Sequence, residues 1–112
     1  MILRSGEKIH VIHRRFYDKD QHRHFIGTVE AYEDGLARVV GNVFTVDTVK
    51  FQYIRRPETR TRIITLCSGD LLVNVIPPHV NLDKITYKQE KKGVRVSDGS
   101  DWFLDLSEFS WK

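Results

Sequence analysis

The amino-acid sequence predicts an all-β protein, and three observations carry this prediction. Residues with β-branched or aromatic side chains occur in short runs that alternate with polar residues, which is typical of strands with one buried face. Turn-forming residues separate these runs at intervals of roughly 8 to 12 residues. No segment has sustained helical periodicity. About seven or eight short strands are therefore expected, arranged as a barrel or a sandwich.

The length and composition fit a single domain spanning residues 1–112. The chain has 112 residues, of which 40% are hydrophobic and 29% are charged, as in an ordinary globular protein. A chain of this size can bury one modest core. The only cysteine, Cys67, excludes an intramolecular disulfide, so packing has to stabilise the fold.

The N-terminal part of the chain is expected to form a pair of hairpins. Residues 7–13 and 24–32 have the alternating pattern of strands, with a turn between them at 18–21. A second turn is expected at 33–35, because Gly35 can adopt a positive φ without a steric penalty. The absence of helical periodicity also predicts that no N-terminal helix precedes the first strand.

The middle of the chain is less regular. Residues 36–56 are long for one strand, and Gly41 followed by Asn42 indicates a bulge or a bend. Because Pro57 lacks a backbone N–H and fits only a turn or an edge strand, a turn is expected at 56–59.

The C-terminal part is also expected to be rich in β-structure. A hairpin closes around "KKG" at 91–93, and "DGSD" at 98–101 forms a turn. A last helical turn is expected at 107–111, which would pack Phe109 and Trp111 onto the barrel. The remaining expected strands are 60–66, 71–77, 80–90, 93–97 and 102–106.

The segment "FIGTVEAYEDGLARVV", residues 25–40, has a distinctive order of residue types. An aromatic residue, a glycine and apolar residues precede a small residue, an aromatic–acidic pair and another apolar residue. These positions are Phe25, Gly27, Val29, Ala31, Tyr32, Glu33 and Leu36. The pattern resembles the first signature of the Sm-like family, in which Asn usually stands where this chain has Ala37.

The segment "IITLCSGDLLVNVIP", residues 63–77, resembles the second signature of the same family. That signature is a strand, an Arg-Gly pair followed by Asn or Asp, and an apolar strand. Here the "GD" pair is present, and Ser68 stands where the family usually has Arg. The resemblance covers residues 7–76 and implies a strongly bent Sm-like or SH3-like barrel, with residues 79–112 as a β-hairpin extension.

The departures from the family pattern bear on function. Members of the family bind uridine-rich RNA in a pocket made by a stacking side chain, the Asn and the Arg. In this chain those positions are Gly35, Ala37 and Ser68, none of which can stack on a base. The resemblance therefore implies the fold without the base pocket. Members of the family also assemble into rings by pairing their edge strands. This pairing depends on backbone atoms and not on the missing side chains, so the resemblance implies a homo-oligomer here.

Two basic segments are the candidates for nucleic-acid binding. The formal net charge of +3 and the sequence pI of about 9.1 are mildly basic, which is compatible with a polyanionic partner. Alternation in "IRRPETRTR", residues 54–62, places Arg60 and Arg62 on one strand face, where they could grip phosphates. The segment "HRRFYDKDQHRH", residues 13–24, interleaves basic and aromatic residues in the manner of a stacking platform. The candidate residues are Arg14, Arg15, Phe16, Tyr17, Arg55, Arg56, Arg60 and Arg62.

The same segments also have simpler interpretations. Arginines at a hairpin tip keep an edge strand soluble, and Phe16 can pack in the core instead of stacking on a base. A non-enzymatic structural or interaction subunit of a larger assembly is therefore the alternative to single-stranded nucleic-acid binding.

Other classes of function find little support in the sequence. His13, His22 and His24 could approach one another across a hairpin, but their spacing matches no zinc signature, and no metal or cofactor is expected. Cys67 has no paired base and no catalytic motif is present, so we expect a protein that is not an enzyme. No signal peptide or bilayer-length apolar run occurs, which predicts a soluble intracellular protein without membrane contact.

Overall fold

The computed structural model describes residues 3–13, 22–47, 52–66, 71–90 and 93–105. It divides the chain into two compact units, Met1–Pro78 and His79–Lys112. The described residues form eight strands and one three-residue 3-10 helix, which confirms the all-β class. The strands are β1 (Lys8–His13), β2 (His22–Glu33), β3 (Leu36–Asp47), β4 (Gln52–Thr65), β5 (Leu71–Ile76), β6 (Thr86–Glu90), β7 (Gly93–Ser97) and β8 (Phe103–Asp105), and the 3-10 helix is Leu82–Lys84.

The first unit contains a five-stranded antiparallel sheet in the order β4-β3-β2-β1-β5. The strands β4 and β5 are the two edges of this sheet. No pairing between them closes the sheet within the residues that the structure describes, so the expected barrel is not confirmed. Residues 3–13 contain no helix, as the sequence predicts.

The turn between β2 and β3 forms at the expected place. Asp34 and Gly35 both have positive φ, 50° and 80°. They connect two strands whose pairing begins with Glu33 opposite Leu36. Positive φ at both central residues is the requirement of a type I′ turn, whose twist matches that of the flanking strands. The acidic–glycine pair in the sequence is therefore explained by the hairpin.

Two glycines face each other in the middle of this hairpin. Gly27 of β2 pairs with Gly41 of β3. A Cβ on Gly41 would collide with the backbone carbonyl of Ile26, and a Cβ on Gly27 would collide with that of Val40. The two strands therefore approach too closely for any other residue at these positions.

The expected turn at 56–59 is wrong, because these residues belong to β4. Pro57 is tolerated there because β4 is an edge strand, where one side of the backbone needs no ladder partner. The pairing of β3 with β4 shifts register between Asn42 and Phe44, so β4 has a bulge around the proline. The bulge that Gly41 and Asn42 indicated is thus present in the pairing, with the extra residues on β4.

The core of the first unit lies on one face of the sheet. It consists of the buried residues Leu3, Ile9, Val11, Phe25, Val29, Ala37, Val39 and Ile64. Their alternation with residues on the other face is the period-two pattern visible in the sequence. Ala37, at the position where the Sm-like family usually has Asn, is completely buried in this core.

The second unit contains a three-stranded antiparallel sheet in the order β6-β7-β8. Its inward face includes Tyr87, Val94 and Val96, which are buried. The bend after β7 is held by Asp98, whose carboxylate accepts hydrogen bonds from the backbone N–H groups of Asn81 and Ser100, at 2.9 and 3.0 Å. The Ser100 hydroxyl, which also donates to this carboxylate, and the two backbone hydrogen bonds lower the pKa of Asp98 to about 2. The helical turn expected at 107–111 lies outside the described residues.

Candidate nucleic-acid interface

The arginines at the end of β4 share one face of the sheet. Arg60 pairs with Gly41 and Arg62 with Val39, so both side chains lie on the face that also carries the core. This arrangement is the one predicted from their alternation with Thr61 and Ile63. Since β4 is an edge strand, these side chains extend from the core face into solvent.

A groove with a volume of about 410 Å³ opens on this face. Its floor is mostly apolar and its rim is mostly charged. Floor residues are Val11, Phe25, Val43, Thr45 and Ile64, with the buried His24 beside them, and rim residues are His13, Arg23, Arg56, Glu58, Arg60 and Arg62. The volume lies at the lower end of the range found for ligand sites, and a mostly apolar floor with few polar groups is typical of them.

The rim carries an excess of positive charge. Four arginines and His13 line the groove against one carboxylate, that of Glu58. All these rim side chains are exposed, so each guanidinium retains its hydration until a ligand displaces it. Guanidinium groups bind phosphate or carboxylate oxygens with two parallel hydrogen bonds, and a cluster of them selects an anion with several such groups.

One of the rim arginines also contacts the floor. The guanidinium of Arg62 lies over the ring of Phe25, with its central carbon 5.5 Å from the ring centroid. A cation–π contact of this kind is worth about 0.5 to 1 kcal/mol at an exposed site. Arg62 is therefore partly held in place before any ligand binds, which lowers the entropy lost on binding.

The β4 bulge places Arg56 and Glu58 in the groove. Asn42, on the neighbouring strand, donates from its side-chain amide to the carbonyls of Arg56 and Glu58, at 3.2 and 3.3 Å. These hydrogen bonds satisfy carbonyls that the shifted register removes from the ladder. A single side chain of β3 therefore supports the segment that brings both charged residues to the rim.

Arg55 is separated from the other arginines of its segment. Its register position opposite Phe44 lies on the other face of the sheet. There its guanidinium donates to the side-chain oxygen of Asn42 at 3.1 Å and lies 5.5 Å from the centroid of the Phe44 ring. Arg55 thus stabilises the bulge, whereas Arg56, Arg60 and Arg62 line the groove.

The second basic segment is only partly described. Arg14, Arg15, Phe16 and Tyr17 lie outside the described residues, between β1 and β2. The ends of that segment contribute His13 and Arg23 to the rim, where they pair with each other across the two strands. Sequence reasoning did not select these two residues. The sequence feature that indicates Arg23 is its position two residues before the core residue Phe25, which places both on the same face of the strand.

The opposite face of the sheet holds a buried pair of histidines. Nε2 of His10 lies 2.9 Å from Nδ1 of His24, and the Asn74 amide nitrogen lies 3.3 Å from Nδ1 of His10. Since the amide can only donate, Nδ1 of His10 accepts, and its Nε2–H donates to His24. Burial lowers the pKa of His10 from 6.5 to about 4, so this ring is neutral at physiological pH.

The suggested approach of His13 to His24 is not observed. His24 pairs with Ile12 and its Nδ1 lies against His10, whereas His13 pairs with Arg23 and lies on the groove rim. In the described parts of the chain, no three histidine, cysteine or acidic side chains form a cluster that could hold a metal ion. The described residues also include no helix with the length and apolar character needed to cross a membrane.

The positions that would read a base offer no polar side chain in the described residues. Gly35 is in the β2–β3 turn and Ala37 is buried in the core, while Ser68 lies outside the described residues. The site is defined instead by the basic groove beside β4, in a protein whose described residues form two antiparallel sheets. Comparison with protein-family models, with curated proteins and with solved structures finds no match to this chain.

Proposed function

We propose that the first unit binds the phosphate backbone of a nucleic acid in the groove beside β4, without reading the sequence of bases and without catalysis. The observation that carries this proposal is the groove itself, in which four arginines face a single carboxylate above an apolar floor. Binding of this kind depends on charge and on the release of counterions.

The spacing along β4 supports a linear polyanion as the ligand. Arg60 and Arg62 are two positions apart on one strand, which separates their Cα atoms by about 6.6 Å. This distance is comparable with the spacing of successive phosphates in an extended nucleic-acid strand. Arg56 and Arg23 add positive charge on either side of the same groove. Affinities of such contacts are modest, on the order of 1 to 100 μM at physiological salt.

The test compares arginines on the groove with an arginine elsewhere. We expect Arg56→Ser and Arg60→Ser each to weaken binding of a fluorescent 12-nucleotide oligo-uridine by roughly 3- to 10-fold at low salt. Each variant should also flatten the dependence of log affinity on log salt by about 0.7, the contribution of one phosphate contact on a single strand. Fluorescence anisotropy over a series of salt concentrations measures both quantities.

Arg38→Ser is the matched control. Arg38 is exposed and its register position lies on the opposite face of β3, so the variant changes the net charge equally without altering the groove. It should lose little affinity. Equal losses in the groove variants and in Arg38→Ser would indicate a general charge effect and contradict a binding groove. No binding by the intact chain at low salt would contradict the proposal entirely.

We also propose that the chain self-associates through the two edges of the first sheet, as a structural subunit does. The supporting observation is that each edge strand exposes a large apolar side chain, Ile63 on β4 and Val75 on β5, at 63% and 57% of its surface. An edge strand with unpaired backbone groups is a template for another strand. Pairing β4 of one copy with β5 of the next joins identical chains head to tail.

Native mass measurement over a range of concentrations tests this second proposal. Val75→Lys should shift the distribution toward the monomer, because a charged residue on an edge strand opposes pairing. Thr86→Lys, at an exposed position of the second unit, should leave the distribution unchanged. A wild-type chain that stays monomeric at the highest concentration would contradict self-association.

We infer, finally, that residues 7–76 are a divergent Sm-like domain. The scaffold positions of the first signature support this inference, since Phe25 and Val29 are buried and Gly27 lies at the close approach of β2 and β3. The strand of the second signature returns to pair with β1. An experimental structure in which β4 and β5 close the sheet into a barrel would support the assignment, and a flat open sheet would contradict it.

A further inference from the structure

We propose that the outward face of the second unit's sheet is a stacking site for an unpaired base of a single-stranded nucleic acid. The site consists of Phe103, Arg95 and Lys88, which we call the Phe103 face. It lies outside the segment in which binding residues were expected from the sequence. The proposal rests on the function proposed above only for the class of ligand.

The register of the three strands places these side chains on one face of the sheet. Ser97 pairs with Phe103, and Lys88 pairs with Arg95, so two neighbouring rows of side chains lie on the same face. The other face carries Tyr87, Val94 and Val96, which are buried. Because side chains alternate along each strand, Lys88, Arg95 and Phe103 lie on the other face, where they are exposed.

Phe103 is an aromatic residue that the fold leaves exposed. It retains 51% of its accessible surface and begins β8, the strand at one edge of this sheet. The guanidinium of Arg95 lies over the ring, with its central carbon 4.3 Å from the ring centroid. Guanidinium planes and aromatic rings are the two platforms on which proteins stack unpaired bases, and here the two are already in contact.

The charge of this face favours a nucleic acid over an apolar partner. Arg95 is an exposed cation over the ring, and Lys88 is an exposed cation at the register position next to Arg95, although Asp105 occupies the register position on the other side of Arg95. A purely hydrophobic partner would have to desolvate these cations, whereas a nucleotide supplies a phosphate for them and a base for the ring. A duplex has its bases stacked internally, so only a single strand can use the ring.

The decisive variants change the ring and keep the charges. Phe103→Ala and Phe103→Leu should both weaken binding of labelled 12-nucleotide oligo-uridine and oligo-thymidine by about 10-fold, within the range measured for loss of one stacked base. Phe103→Trp should restore the affinity of the wild type. Because Phe103 is exposed, we expect these variants to keep the fold, which far-UV circular dichroism checks.

Inorganic polyphosphate distinguishes stacking from charge. It has the phosphates of a nucleic acid but no bases, so Phe103→Ala should bind it as the wild type does. A 12-base-pair duplex should likewise show no difference between the two proteins. Equal loss for oligonucleotide and polyphosphate would overturn the stacking site, and so would an unchanged affinity of Phe103→Ala for single strands.

The outcomes for the two sites are separable. If Arg60→Ser weakens binding and Phe103→Ala does not, the Phe103 face is refuted and the groove proposal stands. If Phe103→Ala alone weakens binding, the stacking site stands and the groove proposal fails. A chain that binds neither oligonucleotide nor polyphosphate refutes both.

Discussion

Acid should destabilise the first unit through the buried side chain of His10. His10 has no exposed surface, and burial lowers its pKa from 6.5 to about 4. In the unfolded chain the same ring has the ordinary pKa of a solvated histidine. Between these two values the unfolded state binds a proton that the folded state does not bind. The stabilising contribution is therefore complete above about pH 6.5 and is lost as the pH falls toward 4.

The size of this loss follows from the two pKa values. At about 1.4 kcal/mol for each pH unit, the interval from 6.5 to about 4 corresponds to about 3 kcal/mol of unfolding free energy. The groups around the ring oppose its protonation further. A doubly protonated His10 has to donate from Nδ1, which faces the Asn74 amide nitrogen, and His24 offers one acceptor to Nε2. Domains of this size are stable by only about 5 to 15 kcal/mol, so the effect is measurable.

Urea unfolding of the full chain at several pH values between 4 and 7 provides the assay. His10→Gln removes the titrating group while retaining an amide that can donate to His24. From pH 7 to pH 4 the wild type should lose about 3 kcal/mol more than His10→Gln does. His13→Gln, which changes an exposed histidine, should follow the wild type. Far-UV circular dichroism follows the sheets, and tryptophan fluorescence reports the second unit, which contains Trp102 and Trp111.

Two results would refute this reasoning. One is an equal loss of stability in the wild type and in His10→Gln. The other is a titration of His10 near pH 6.5 in the folded protein, measured directly by NMR. The NMR measurement needs only the wild type, so it tests the argument even where His10→Gln fails to fold.

The remaining predictions concern the β2–β3 hairpin. Gly41→Ala should destabilise the protein by more than about 2 kcal/mol in thermal unfolding, because the added Cβ collides with the Ile26 carbonyl. The control Thr61→Ala, at an exposed position of β4, should stay within about 0.5 kcal/mol of the wild type. A small effect of Gly41→Ala would contradict the close approach of the strands. Ala37→Asn should lower the free energy of unfolding by about 1 to 3 kcal/mol, because it buries an amide in the apolar core, and it should not raise the affinity for oligo-uridine. The control Arg38→Asn, at the next and exposed position, should leave the stability nearly unchanged. A gain in affinity for uridine-rich RNA would show that a base pocket can be rebuilt at this position.

Much of the fold follows from short-range information in the sequence. Alternating side chains specify the strands, and Asp34 with Gly35 specifies a turn that requires two positive φ angles. The error at residues 56–59 has a physical reason, since a proline excludes a central strand and leaves a turn and an edge as the alternatives. Which alternative holds depends on the partner of β4, and the local sequence contains no information on that partner.

The candidate site depended far more on tertiary structure. Period-two alternation determined that Arg60 and Arg62 share a face, and the basic composition made a polyanionic ligand a reasonable hypothesis. Only the pairing of strands brought Arg23, from another hairpin, to the same groove. Arg55 and Arg56 lie on opposite faces because successive side chains of a strand alternate, and the pairing of Arg55 with Phe44 shows which of the two faces away from the groove. Sequence by itself determined the local backbone and the charge of this protein, and cross-strand pairing decided which of those charges meet.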